Sequence, residues 1–183
     1  MTLETGSTDA LADYAGALTG VNALIFSYTV AAGENSSDLD YASTSALALN
    51  GGTIVDSDGG SADLTLATPG ASGSLGADKA LVVDTETPTT PSGLAAAEGN
   101  TSITLTWTAN SESDLASYKL YSGTNVYPTT LLATISAGTE TYTNTGLTNG
   151  TSYYYRISAV DNAGNESNKS SDVFTWARLQ KYT

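Results

Sequence analysis

From Leu94 onward, apolar and polar residues alternate in short runs. In Ile103-Thr-Leu-Thr-Trp107 every second side chain is apolar, the two-residue period of a half-buried strand. Leu94 and Ala96 begin an earlier strand, and Tyr118 and Leu120 mark a later one. Leu131–Ile135 and Thr141–Thr145 supply two more, and Val173–Trp176 closes the series. The clearest run follows Leu147-Thr-Asn-Gly-Thr. Tyr153, Tyr155, Ile157 and Ala159 fall on one face, and Tyr154, Arg156 and Ser158 on the other. A tyrosine entering a strand after such a turn predicts a tyrosine corner, with the ring packed inward and its hydroxyl bonded to nearby backbone. The pattern is that of a seven-stranded β-sandwich. Its expected core is Trp107, Tyr118, Leu120, Leu147, Tyr153, Tyr155 and Ile157.

The first half is also β-like. Short β-branched or aromatic stretches are separated by Gly, Asn and Asp turns, and helix patterns are nearly absent. Regular alternation and 11 tyrosines speak against disorder. Between the halves, Asp84-Thr-Glu-Thr-Pro88-Thr-Thr-Pro91 holds two of the four prolines and no apolar residue, so it reads as an extended linker. Charge steps at the same place. Residues 1–87 carry a net −11 and residues 88–183 a net −2. The expected organisation is a domain at 1–84, a linker at 85–91, a second domain at 92–177 and a tail at 178–183.

Composition removes whole classes of chemistry. With no Cys and no His, the chain has no disulfide, thiolate nucleophile, imidazole base or Ser-His-Asp triad. A resident metal would need oxygen ligands, which selects calcium or magnesium. The formal net charge of −13 opposes binding to nucleic acid or anionic lipid, both of which require Lys and Arg. No apolar run approaches the ~20 residues of a membrane span. The N-terminus lacks the basic and apolar regions of a secretory leader.

Pro-Ser-Gly-Leu94, Ile-Thr-Leu-Thr-Trp107, Ser-Asp114-Leu-Ala-Ser-Tyr118-Lys-Leu-Tyr121, Leu147-Thr-Asn-Gly-Thr-Ser-Tyr153 and Ala159-Val-Asp161-Asn-Ala-Gly164-Asn-Glu-Ser occur in this order. Together they resemble a bacterial fibronectin type III domain over residues 88–177. In the first half, Leu3-Glu-Thr-Gly, Ile25-Phe-Ser-Tyr-Thr-Val30, Ser37-Asp-Leu-Asp-Tyr41, Ser45-Ala-Leu-Ala-Leu and Leu75-Gly-Ala-Asp-Lys-Ala-Leu-Val-Val-Asp84 resemble the immunoglobulin-like repeats of large bacterial surface proteins. That resemblance implies stalks, adhesins or surface layers built from tandem repeats. It also implies two further strands ahead of Leu3, so the first domain is expected to be an incomplete immunoglobulin-like sandwich.

An incomplete sandwich invites a strand from a neighbour. The candidate donor is the end of the chain, through Val173, Phe174, Trp176 and Leu179, with Arg178 and Lys181 meeting the acidic first half of another copy. The plainer alternative is that Val173–Trp176 is the last strand of its own domain.

Oxygen-rich groups supply the calcium candidates. Asp38 and Asp40 are two apart in an extended segment, and Asp56 and Asp58 repeat the spacing in a turn. Glu112 and Asp114 share one loop, and Asp161, Asn162, Asn165 and Glu166 another. Asp84 sits at the linker, where a cation would stiffen the hinge. Ordinary turn residues and solvated loop acids explain the same pattern. Tyr121 and Tyr154, if they face outward, would offer a sugar- or protein-binding face, or a cross-strand stabilising pair.

No pair of carboxyls is placed for glycoside hydrolysis, and no Ser or Lys carries an activating partner. With the resemblance to surface-protein repeats, the expected function is a non-catalytic, extracellular structural module of a bacterial surface stalk, adhesin or filament. Its partners would be copies of itself or adjacent repeats. The alternatives are an accessory spacer or binding module of a secreted polysaccharide-degrading enzyme, and a calcium-dependent adhesion module.

Overall fold

The computed structural model describes residues 1–17, 23–55 and 57–178. Strands dominate, and the single helix among the described residues has four residues. The chain divides into two compact units, Met1–Glu86 and Thr87–Thr183.

In the second unit, β5 (Ala95–Gly99), β6 (Ser102–Thr106) and β9 (Thr141–Thr145) form one antiparallel sheet in the order β5-β6-β9. The other sheet is β11-β10-β7-β8, built from β7 (Leu115–Gly123), β8 (Thr130–Ser136), β10 (Ser152–Asp161) and β11 (Val173–Trp176). Alternation drives the packing. Ile103 and Leu105 from β6 meet Tyr118 and Leu120 from β7 and Tyr155, Ile157 and Ala159 from β10 in one buried core. Trp107 lies just beyond β6, buried edge-on against Tyr118 with ring centroids 5.3 Å apart. Leu147 and Tyr153 are partly buried against the same cluster.

The tyrosine corner has the expected bond. The Tyr153 hydroxyl accepts a hydrogen bond from the Thr148 amide at 3.1 Å. A second inward tyrosine is tied deeper: the Tyr155 hydroxyl accepts from Asn144 Nδ2 at 3.0 Å, and both residues are buried.

The first unit departs from the expected sandwich. Among its described residues, β1 (Thr2–Leu3) pairs with β2 (Ala10–Leu11), and β3 (Asp13–Ala17) pairs with β4 (Leu24–Ser27). These are two-stranded ribbons, not two facing sheets. The rest of its described residues are loop, with isolated bridges such as Ser36 to Val83, and the short α1 (Leu75–Asp78). A small core of Leu3, Ala12, Leu39, Tyr41, Ala46 and Val83 holds these loops. The physical reason is local. Gly, Ser and Asp punctuate the segment too often for long strands, so side chains such as Tyr14 and Val82 stay 61% and 70% exposed.

The expected linker is anchored rather than free at both ends. The Thr85 amide donates to Asn35 Oδ1 at 2.8 Å within the first unit. Thr89 belongs to the second, where its amide and hydroxyl donate to Glu112 Oε1 at 2.7 and 2.6 Å. No helix among the described residues is long and apolar enough to cross a membrane.

Candidate functional site

The second unit carries a cluster of charged and aromatic side chains on the outer face of the β11-β10-β7-β8 sheet. The register shifts between Val160 and Asp161, and the chain turns at Gly164, where φ is +95°. The Asp161 carboxylate closes this turn by accepting from the Asn165 amide at 2.8 Å and from Asn165 Nδ2 at 2.9 Å. The returning strand forms a bridge between Glu166 and Val160. That bridge places the Glu166 carboxylate over β7 and β10.

Glu166 is a hub. Its oxygens accept from Tyr121 Oη at 2.5 Å, Ser158 Oγ at 2.6 Å and Lys119 Nζ at 2.6 Å. Lys169 Nζ stands 3.9 Å away and lies 4.2 Å from the centroid of the Tyr121 ring. Burial works against the charge on Glu166, but the bonds from Lys119, Ser158 and Tyr121 outweigh it and hold the carboxyl at about 2. The same contact with Glu166 raises the Lys119 ammonium. Burial, then the bond to Glu166, raises the Tyr121 phenol. Neighbouring Arg156 donates through Nε to the Ser170 carbonyl at 2.7 Å, pairs with Asp172 at 3.5 Å and covers the Tyr127 ring at 5.7 Å.

Beside this network runs an aromatic row. Tyr154 stacks on its cross-strand partner Phe174 with centroids 5.3 Å apart, and Phe174 meets Trp176 edge-on at 5.6 Å. Phe174 is 52% exposed and Trp176 44%. Of the two tyrosines proposed as outward, Tyr154 joins this row. Tyr121 is instead buried beneath Lys169 and Glu166.

The candidate calcium ligands are mostly engaged by the protein itself. Asp40 is buried and accepts from the Tyr41 amide at 2.8 Å and the Gly70 amide at 3.0 Å. Burial raises its proton affinity, but these bonds, with others from Ser74 and Gly76, leave the carboxyl below its ordinary value. Asp38 is exposed and points with Asp40 toward Gly76, so the two do share a face. Asp58 is exposed, and Asp56 lies outside the described residues. Asp84 accepts from the Glu86 amide at 3.0 Å. Glu112 grips Thr89 with its hydroxyl and amide bonds, which lower the carboxyl to about 2. Asp114 is exposed, and one of its carboxylate oxygens comes within 4.8 Å of one on Asp161.

The proposed donor residues Val173, Phe174 and Trp176 form β11, already paired with β10 of the same chain from Ser152–Trp176 to Tyr155–Val173. Leu179 and Lys181 lie outside the described residues. Arg178, expected to reach a neighbour, pairs within its own unit through Nη2 to Glu98 at 2.7 Å. The reason is geometric: Glu98 sits on β5, and the Arg178 amide already bonds the Gly99 carbonyl at 3.0 Å.

Chemically, this face keeps Glu166 as an ionised carboxylate. A general acid needs a carboxyl raised toward neutrality, whereas the shifted carboxyls Glu34, Asp40, Asp63, Glu112 and Glu166 all move downward. Sequence reading missed the Glu166 hub. The one available cue was Lys119, Tyr121 and Ser158 falling on outward positions of two predicted strands.

Residues 89–176 match the family described as Fibronectin type III domain, and this segment is a fibronectin type III domain. Exoglucanase B of Cellulomonas fimi is 45% identical over 89 residues, 46% of this chain and 7% of that protein. Chitinase A1 of Niallia circulans is 42% identical over 92 residues, 49% of this chain and 12% of that protein. The chain thus spans a small fraction of these relatives. A solved Fn3-like protein from Clostridium thermocellum is 31% identical, with a TM-score of 0.43, covering 53% of this chain and all of that one.

Proposed function

We propose, from the fibronectin type III domain at residues 89–176, that the chain is a non-catalytic accessory module of a secreted bacterial polysaccharide-degrading enzyme. The observation that carries this reading is the 45% identity to a segment of an exoglucanase, alongside the 42% identity to a segment of a chitinase. These relatives favour the accessory role over the surface stalk, adhesin or filament that the first half suggested.

The physical role is to space a catalytic domain and to hold it on its insoluble polysaccharide. Two short antiparallel sheets with a continuous aromatic and aliphatic core resist deformation. The downward-shifted carboxyls keep this surface charged. The first unit would be a second module in tandem, joined through the segment around Pro88 and Pro91. A mobile polysaccharide-degrading domain needs such spacers to reach an insoluble substrate.

Light scattering of the purified chain, paired with incubation on soluble cello- and chito-oligosaccharides, tests this reading. A monomer that releases no new reducing ends is expected. Concentration-dependent head-to-tail polymers would return the account to a filament. Oligosaccharide hydrolysis lost on mutating one carboxyl would overturn the non-catalytic assignment.

A further inference from the structure

The sequence contains two Asn-Gly steps, Asn50-Gly51 and Asn149-Gly150. Glycine after asparagine leaves the next backbone nitrogen without a shielding side chain. That nitrogen can attack the asparagine side chain. The two steps are chemically identical, so any difference between them is the work of the fold.

Asn50 and Gly51 occupy the centre of a tight turn closed by the Gly52 amide donating to the Leu49 carbonyl at 2.8 Å. Both central residues have positive φ, 47° and 85°, as in a type I′ turn. Both are exposed. Among the described residues, no hydrogen bond engages the Asn50 side chain or the Gly51 amide nitrogen.

Asn149 is also exposed, yet its surroundings are the opposite. Its Oδ1 accepts from the Thr101 amide at 2.9 Å, and its Nδ2 donates to Asn100 Oδ1 at 2.8 Å. The Gly150 amide, the would-be nucleophile, donates to the Ala177 carbonyl at 2.8 Å. Electrophile and nucleophile are both fixed, and reaction requires these bonds to open first.

We propose that Asn50 is a site of spontaneous deamidation in the folded protein, and that the fold protects Asn149 from the same reaction. In the reacting turn, the Gly51 nitrogen bonds to Asn50 Cγ and loses its proton. The side-chain carbon–nitrogen bond breaks, and ammonia leaves carrying that proton. Water then opens the cyclic imide at either carbonyl, leaving aspartate or isoaspartate. No oxidant or reductant takes part. Each event adds one negative charge to a unit that already carries −11 over residues 1–87. The isoaspartate product also inserts a methylene into the backbone. Leu47, Leu49 and Val55 of this loop line a cleft of about 520 Å³ together with Tyr14, Leu24 and Phe26, so the modification lengthens part of its lining segment.

The test is peptide mapping by mass spectrometry of the whole chain held in mildly alkaline buffer at physiological temperature, with and without denaturant. In the native protein the Asn50 peptide gains about one dalton roughly tenfold or more faster than the Asn149 peptide, the factor a lost hydrogen bond can supply. In denaturant the two rates converge. An Asn50 peptide that stays intact in the native protein overturns the proposal. So does an Asn149 peptide that reacts equally fast when folded, or one that stays inert when unfolded.

Discussion

The Tyr121 hydroxyl donates to the Glu166 carboxylate at 2.5 Å, across 45 residues of sequence. This bond joins the central strand β7 to the segment that returns from β10. With Lys119 and Ser158 it fills the carboxylate with donors. Replacing Glu166 by Gln keeps the shape and removes the charge, leaving Lys119 without its partner. Loss of charge-assisted hydrogen bonds of this kind costs about 1.5–3 kcal/mol. Urea denaturation of the variant should show that loss with an unchanged slope. A stability equal to that of the parent would mean the network is decorative.

Acid should expose the same network. The Glu112 and Glu166 carboxyls sit at about 2 in the folded chain, down from an ordinary 4.5. Because the folded values are depressed, their contribution is fully present above pH 4.5 and drains away as pH falls toward 2. Melting temperature should therefore decline across that window, and E166Q should decline less steeply. A parallel decline in parent and variant would remove Glu166 from the cause.

Tyr155 and Asn144 make the buried counterpart of this surface network. Changing Tyr155 to Phe removes the acceptor and strands the Asn144 amide donor in the core at a cost of about 1–3 kcal/mol. Changing Tyr153 to Phe frees the Thr148 amide at an exposed turn, so it should cost less. Reversal of that order in denaturation midpoints would show that the corner, not the core pair, holds the sheet.

The two tryptophans report separate environments. Trp107 is 6% exposed and Trp176 is 44% exposed. W176F should strip the red-emitting, quencher-accessible part of the fluorescence and leave the fold intact. W107A should remove the blue part and cost about 3–5 kcal/mol through its cavity. Equal quenching of both residues in the folded chain would contradict the packing.

Much of the second unit was legible in sequence because its strands alternate without interruption. Thr141–Thr145 and Val173–Trp176 coincide with β9 and β11. The core positions Tyr118, Leu120, Tyr155 and Ile157 are buried where the period placed them. The burial of Ser158 and Tyr121 on the outer face was not legible, because it depends on Glu166 arriving from a turn beyond the strand. The first unit was harder still. Its contacts, such as Leu3 to Tyr41 and Ser36 to Val83, join segments far apart in sequence and leave no periodic trace. For the acids, sequence showed which could bind a cation but not that backbone amides already occupy Asp40 and Glu112.

The accessory role is tested most directly by co-sedimentation of the whole chain with insoluble cellulose and with insoluble chitin, across a range of polysaccharide concentrations. Saturable depletion of the protein from the supernatant by at least one of them is the predicted result. Full recovery in the supernatant with both, at every concentration, would contradict it.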